Sequence, residues 1–120
     1  YAYDYDIETG AVANKRLFAN TRDLGGIPDG ATVDADGLMW MAICEGSKVV
    51  AYRPDGGIER IVEMPVRCPA SVMFGGANLD ELYVTSIDLA LLGQENDGGG
   101  DMFVITGLGA RGIAESRYAG

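Results

Sequence analysis

Carboxylates are the reactive side chains this sequence has to offer. Histidine is absent, so neither a Ser-His-Asp nor a Cys-His arrangement can be assembled. Zinc is disfavoured for the same reason, because Cys44 and Cys68 are unclustered and no histidine joins them. Aspartate, glutamate and backbone carbonyl oxygens remain, and these are the ligands of hard divalent cations such as Ca²⁺, Mg²⁺ or Mn²⁺. Three aspartates stand close together: Asp29 in Ile27-Pro28-Asp29-Gly30, and Asp34 and Asp36 in Asp34-Ala35-Asp36-Gly37. The second group has neither the spacing nor the distal Glu of an EF-hand, so Asp34 and Asp36 read as turn residues. Taken alone, Asp29 also reads as a turn residue, since Pro28 fixes φ and Gly30 can take φ > 0. Gly98-Gly99-Gly100 lacks a following helix and a Lys-Ser/Thr, so it is no phosphate loop.

The elements that would position Asp29 are strands. Ala31, Val33 and Ala35 alternate with Thr32 and Asp34, the period of a strand with two unlike faces. Asp36-Gly37 is a hairpin signal, and Leu38 to Ile43 is an apolar run suited to a buried strand. Asp29 is thereby expected in a turn at the mouth of a hairpin, on the lip of a sheet. Upstream, Tyr1, Tyr3 and Tyr5 alternate with Ala2, Asp4 and Asp6, and Val12 to Phe18 reads as the returning strand of that hairpin. Downstream, strands over 31–35, 38–43, 48–52 and 58–64 follow one another by short turns. That is a four-stranded meander.

The pattern then restarts. Ala70-Ser71-Val72 with Gly76 repeats Ala31-Thr32-Val33 with Gly37 at a spacing of 39 residues. Leu82 to Thr85 stands where Met39 to Ala42 stood, and Met102 to Ile105 where Val49 to Tyr52 did. Self-similarity at this period marks a propeller or a similar array. The second copy carries an inserted loop, Asp88 to Asp101, read as mobile and solvated, with one helical turn at Leu89 to Leu92 as the nearest thing to a helix. Trp40 reads as packing between sheets, Ser71 as a strand hydroxyl, and Arg53, Arg60 and Arg67 as solvated.

Composition bounds the partners. The chain has 120 residues, 9 Lys+Arg against 18 Asp+Glu, and a net charge of −9. Nucleic acid and anionic membranes are recruited by basic patches, so neither is expected as a partner. No apolar window is long enough for a membrane helix and no signal-peptide pattern opens the chain. Cys44 and Cys68 read as two buried thiols, a disulfide being the less favoured alternative, and together these suggest a reducing, cytoplasmic setting. Tyr1 opens within a strand-like run, so we expect a C-terminal fragment of a longer protein.

Several blocks in order carry a resemblance. Ile27-Pro28-Asp29-Gly30, Asp34 through Ala42, Pro69 through Gly76, Glu81 through Ser86 and Ile105-Thr106-Gly107-Leu108-Gly109 are similar to the senescence marker protein/regucalcin/gluconolactonase family. The resemblance covers essentially the whole chain and the C-terminal part of the family. It implies an all-β fold, about two and a half blades of a six-bladed β-propeller: a half blade over 1–24, a full blade over 25–66, and a last blade over 67–120 carrying the inserted loop 88–101. Such a piece leaves two sheet faces uncovered, at roughly 25 cal/mol per Å² of apolar surface, so self-association through those faces is expected.

The same resemblance implies a function. In the family a central channel holds one divalent metal, and the Asp of a Pro-Asp-Gly turn is one of its ligands; the matching residue is Asp29. Asp29 is thus the candidate metal ligand and the candidate catalytic residue, placed also to take a proton from an attacking water. The longer protein is expected to be a metal-dependent sugar lactonase making an aldonic acid, with Ca²⁺ favoured over Mg²⁺, Mn²⁺ or Zn²⁺. The alternative is a calcium-binding propeller without turnover, and a third reading is action on another lactone or an organophosphate-like ester. The remaining metal ligands of the family have no counterpart in this sequence, so the isolated chain is expected to be inactive.

Overall fold

A computed structural model describes residues 1–117 and 119. The chain is all-β, with nine strands among the described residues, in three antiparallel sheets that follow one another along the sequence. Strands β1 (Ala2–Tyr5) and β2 (Val12–Arg16) form a two-stranded sheet. Strands β3 (Ile27–Val33), β4 (Met39–Cys44), β5 (Lys48–Tyr52) and β6 (Ile58–Glu63) form a four-stranded meander. Strands β7 (Pro69–Gly75), β8 (Glu81–Ser86) and β9 (Met102–Ile105) make the third sheet. Short 3-10 turns at Arg22–Leu24 and Leu89–Leu92 are the helical elements among the described residues.

The central strands explain the apolar runs. Met39-Trp40-Met41-Ala42-Ile43-Cys44 has apolar side chains on both faces because both faces of β4 are covered. Trp40, Ala42, Val49 and Ala51 pack towards the third sheet, against Val72, Phe74, Leu82 and Val84. Ile43, Val50 and Tyr52 face the other way, with Leu24, Phe18, Ala19, Met39 and Met41. Trp40 meets Phe74 edge-to-face with ring centroids 5.9 Å apart, a geometry worth about 0.5–1.5 kcal/mol beyond area burial. The expected inter-sheet role of Trp40 is what the fold gives it.

Two expectations for the strands need correction. Pro28-Asp29-Gly30 is not a turn; it lies inside β3, which begins at Ile27. Pro28 pairs with Ile43 and Ala31 with Met41, so one extra residue sits between them as a β-bulge. The bulge absorbs the same Pro-Asp-Gly chemistry that elsewhere makes a turn, and places Asp29 mid-sheet-edge instead of at a hairpin mouth. The strand also ends at Val33, not at residue 35, because Asp34 turns inward. A matching irregularity separates the Pro69–Ser86 and Ser71–Thr85 pairs at the start of β7.

The C-terminal segment binds the two larger sheets together. Ala35 donates its amide to Arg111 O at 2.7 Å, Gly112 donates to Leu79 O at 2.8 Å, and Asp34 and Gly112 form an isolated bridge. Arg60 Nη1 reaches Leu108 O at 2.6 Å. Gly112 has to be glycine for this passage, because a Cβ there would lie 2.8 Å from Phe74 Cγ. Arg60 is therefore engaged with the backbone, not simply solvated.

Candidate functional site

Asp29 is exposed on the β3 bulge and belongs to no ion pair among the described residues. Its neighbour Gly30 explains how close the first strands of successive sheets come. A Cβ on Gly30 would lie 2.7 Å from Ser71 Cβ, so the backbone of β3 passes directly against Ser71 of β7. Farther along the same pair, Thr32 Oγ1 lies 3.8 Å from Met73 Sδ. Ser71 is exposed at that contact. The structure thus brings together Asp29, Gly30 and Ser71 where β3 and β7 run side by side, and leaves the Asp29 carboxylate uncommitted.

Asp34 behaves in the opposite way. It is 1% exposed, and its carboxylate is fully engaged. Oδ1 accepts the amides of Asp36 at 3.0 Å and Leu38 at 2.9 Å, and Oδ2 accepts Trp40 Nε1 at 2.8 Å. The turn assignment holds for its backbone, since Gly37 N–H donates to Asp34 O. Its side chain is an internal clamp that sequence reasoning missed. The available signal was the Asx-turn spacing of Asp34 to Asp36, followed by an indole donor six residues on. Asp36, Glu59, Arg60 and Leu108 line a small groove of about 160 Å³ with Asp34 and Trp40 in it. With both Asp34 oxygens occupied, that groove offers no free ligand from its buried carboxylate.

A larger cavity of about 300 Å³ opens between the two-stranded and four-stranded sheets, lined by Tyr1, Phe18, Pro28, Met39, Met41 and Tyr52. Tyr52 is buried and its hydroxyl has no hydrogen-bond partner among the described residues. Burial pushes that phenol up from its ordinary value. On the far side, the inserted loop is tied down and not merely solvated. Arg67, half-buried, donates from its backbone to Asp97 and from its guanidinium to Gln94, and its Nε forms an ion pair with Glu45 at 2.9 Å. Ser86 Oγ accepts from Gly100 at 3.0 Å and donates to Asp101 O at 2.7 Å. Arg53 pairs with Glu59 at 3.0 Å on the surface, whereas Arg67 departs from the expected solvated role because the loop folds over it.

No group of three or more His, Cys, Asp or Glu side chains converges to hold a metal ion among the described residues. An exposed carboxylate outside every ion pair among the described residues fits a hard cation as one ligand, and on β3 Asp29 is that residue. No helix among the described residues is long and apolar enough to cross a membrane.

Comparison with known proteins places the chain. The profile of the SMP-30/Gluconolactonase/LRE-like region matches residues 1–88. The chain belongs to this family. Human regucalcin is 40% identical over 124 residues, covering 99% of this chain and 41% of that protein. Regucalcin of Xenopus laevis is 37% identical over 126 residues with the same coverage of 99% and 41%. Among solved structures, a luciferin-regenerating enzyme superposes with a TM-score of 0.81 at 35% identity, covering 93% of this chain and 39% of the other. A calcium-binding protein, regucalcin, from Agrobacterium tumefaciens superposes with a TM-score of 0.75 at 28% identity, covering 94% and 39%. The chain therefore spans about two fifths of the length of the curated relatives it matches.

Proposed function

We propose that the longer protein is a divalent-metal-dependent sugar lactonase and that Asp29 is one of its metal ligands. The observation that carries this reading is the uncommitted Asp29 carboxylate on the β3 bulge of an SMP-30/gluconolactonase-family chain. A solved relative described as an enzyme supports turnover over simple binding. When bound, a divalent cation would polarise a lactone carbonyl and lower the pKa of a water. In this reading Asp29 would supply one oxygen to that cation and would accept the proton that the water gives up. The bulge sets Asp29 on the sheet edge, where β3 passes close against Ser71 of β7. The product is an aldonic acid, and a cytoplasmic setting belongs to the same reading. Ca²⁺ is the favoured metal, because the chain offers oxygen ligands and no histidine. We read the three sheets as a half blade, a full blade and most of a last blade of one propeller.

Glucono-δ-lactone hydrolysis by the longer protein, followed as proton release with and without EDTA, tests the proposal beside an Asp29→Ala version. Loss of activity in both arms supports it; activity indifferent to both returns Asp29 to a structural role. The second reading, a calcium-binding propeller without turnover, is favoured by the description of the Agrobacterium regucalcin as calcium-binding. Calcium binding that depends on Asp29, without hydrolysis of any sugar lactone, would decide for it. By itself the 120-residue chain, with one ligand, is expected to turn over no lactone. Alone, it is also expected to pair with a second copy through exposed apolar side chains such as Tyr5, Ile7, Val12 and Leu17. Light scattering that returns a monomer mass would exclude that pairing.

A further inference from the structure

Cys44 ends β4 and Cys68 stands immediately before β7, so the two thiols come from different sheets. They meet in a small apolar cluster closed by Leu89, with Ile87 packed at its edge. The amide of Glu45, whose nitrogen is two bonds from Cα of Cys44, donates to Cys68 Sγ at 3.3 Å. Both cysteines are free and buried. Their surroundings are unequal. Burial pushes the Cys44 thiol up to about 12, and its hydrogen bond with Cys68 adds to the rise. Cys68 Sγ, by contrast, accepts the backbone amide of Glu45.

We propose that Cys44 and Cys68 are a peroxide-oxidisable pair in which Cys68 attacks and Cys44 resolves. The Cys68 sulfur takes one oxygen from hydrogen peroxide; the O–O bond breaks and the other oxygen leaves as water once protonated, giving a sulfenic acid. The Cys44 sulfur then attacks the Cys68 sulfur, the S–O bond breaks, and the Cys44 proton leaves with the hydroxide as a second water. Two thiols are oxidised to one disulfide while one peroxide is reduced to two waters. The new bond ties the end of β4 to the entry of β7. Cys44 is paired with Ile27, at the start of the strand that carries Asp29, so the cross-link fastens the sheet edge beside the candidate site. Leu89 packs in the same buried cluster as the two thiols, so its side chain would limit how fast a small oxidant reaches them.

The full chain is treated with hydrogen peroxide, unfolded, and its remaining thiols blocked with N-ethylmaleimide before intact-mass and peptide analysis. Both thiols should become unblockable together, with the Cys44 and Cys68 peptides linked and released by dithiothreitol. Cys44→Ser should leave a Cys68 sulfenic acid that dimedone traps. Leu89→Ala should form the same link several-fold faster. Two blockable thiols after treatment, or Cys68 overoxidised while Cys44 stays free, would overturn the pair.

Discussion

The two ends of β3 hold aspartates that have opposite fates. Asp29, on the bulge near the start of the strand, is exposed and outside every ion pair among the described residues. Asp34, just past its end, is buried and spends both oxygens on protein donors. A carboxylate with both oxygens engaged by amides and an indole is part of the scaffold. One left free on a rigid strand is available to something from outside. Under the proposed function, the candidate ligand is recognised by what it does not bond, not by its distance from other acids.

The sharpest way to break this contrast is Asp34→Ala. It leaves the Trp40 indole and two backbone amides without partners, and each buried donor left unpaired costs about 1–3 kcal/mol. Urea unfolding should show a loss of about 3 kcal/mol or more, reported by the fluorescence of the chain's single tryptophan. Unchanged stability would mean that Asp34 is not the clamp. Gly30→Val comes next. A side chain there must push β3 away from Ser71, an overpacking that costs about 1–3 kcal/mol. In the longer protein the same change should weaken cation binding, because the bulge carrying Asp29 moves with it. Asp29→Ala should leave unfolding within about 0.5 kcal/mol, and titration calorimetry of the longer protein should lose its divalent-cation heat. A destabilised variant with intact cation binding would reverse the roles assigned to the two residues.

The smallest effect concerns acid. The Arg67 amide holds the Asp97 carboxyl below its ordinary value of 3.8. A depressed carboxyl stabilises the folded form above its unfolded value, and that contribution disappears as pH falls through the folded one. Below pH 3.8 the inserted loop should therefore loosen while the sheets persist. Amide exchange at Gly99, whose N–H also donates to Asp97, should rise there and stay constant in Asp97→Asn.

The contrast also marks what could be read from residues alone. β4 and β5 were legible because their apolar runs declare two buried faces, and the repeat spacing declared the successive sheets. Trp40 was placed correctly for the same reason. The bulge was not legible: Pro28-Asp29-Gly30 has identical local preferences in a turn and in a bulge, and only pairing with Ile43 and Met41 decides between them. Nor was the burial of Asp34: its indole donor Trp40 is six residues on, but the covering segment at Arg111 and Gly112 is far along the chain. Arg60 and Arg67 escaped because their partners, Leu108, Gln94 and Asp97, are far along the sequence. Asp29 itself was legible as a candidate through resemblance rather than through its own surroundings.

The passage of Arg111 and Gly112 between Ala35 and Leu79 has a consequence for biosynthesis. The corner that closes β3 onto β4 waits for backbone partners translated more than seventy residues later. A ribosome must therefore release nearly all of this sequence before the seam between the two larger sheets can be sealed. Until then, Trp40 and Phe74 can stack while the seam beside them stays unstitched. A nascent chain stalled short of Arg111 should thus be open to protease at the Asp34–Gly37 corner, and a chain stalled past Gly112 should not.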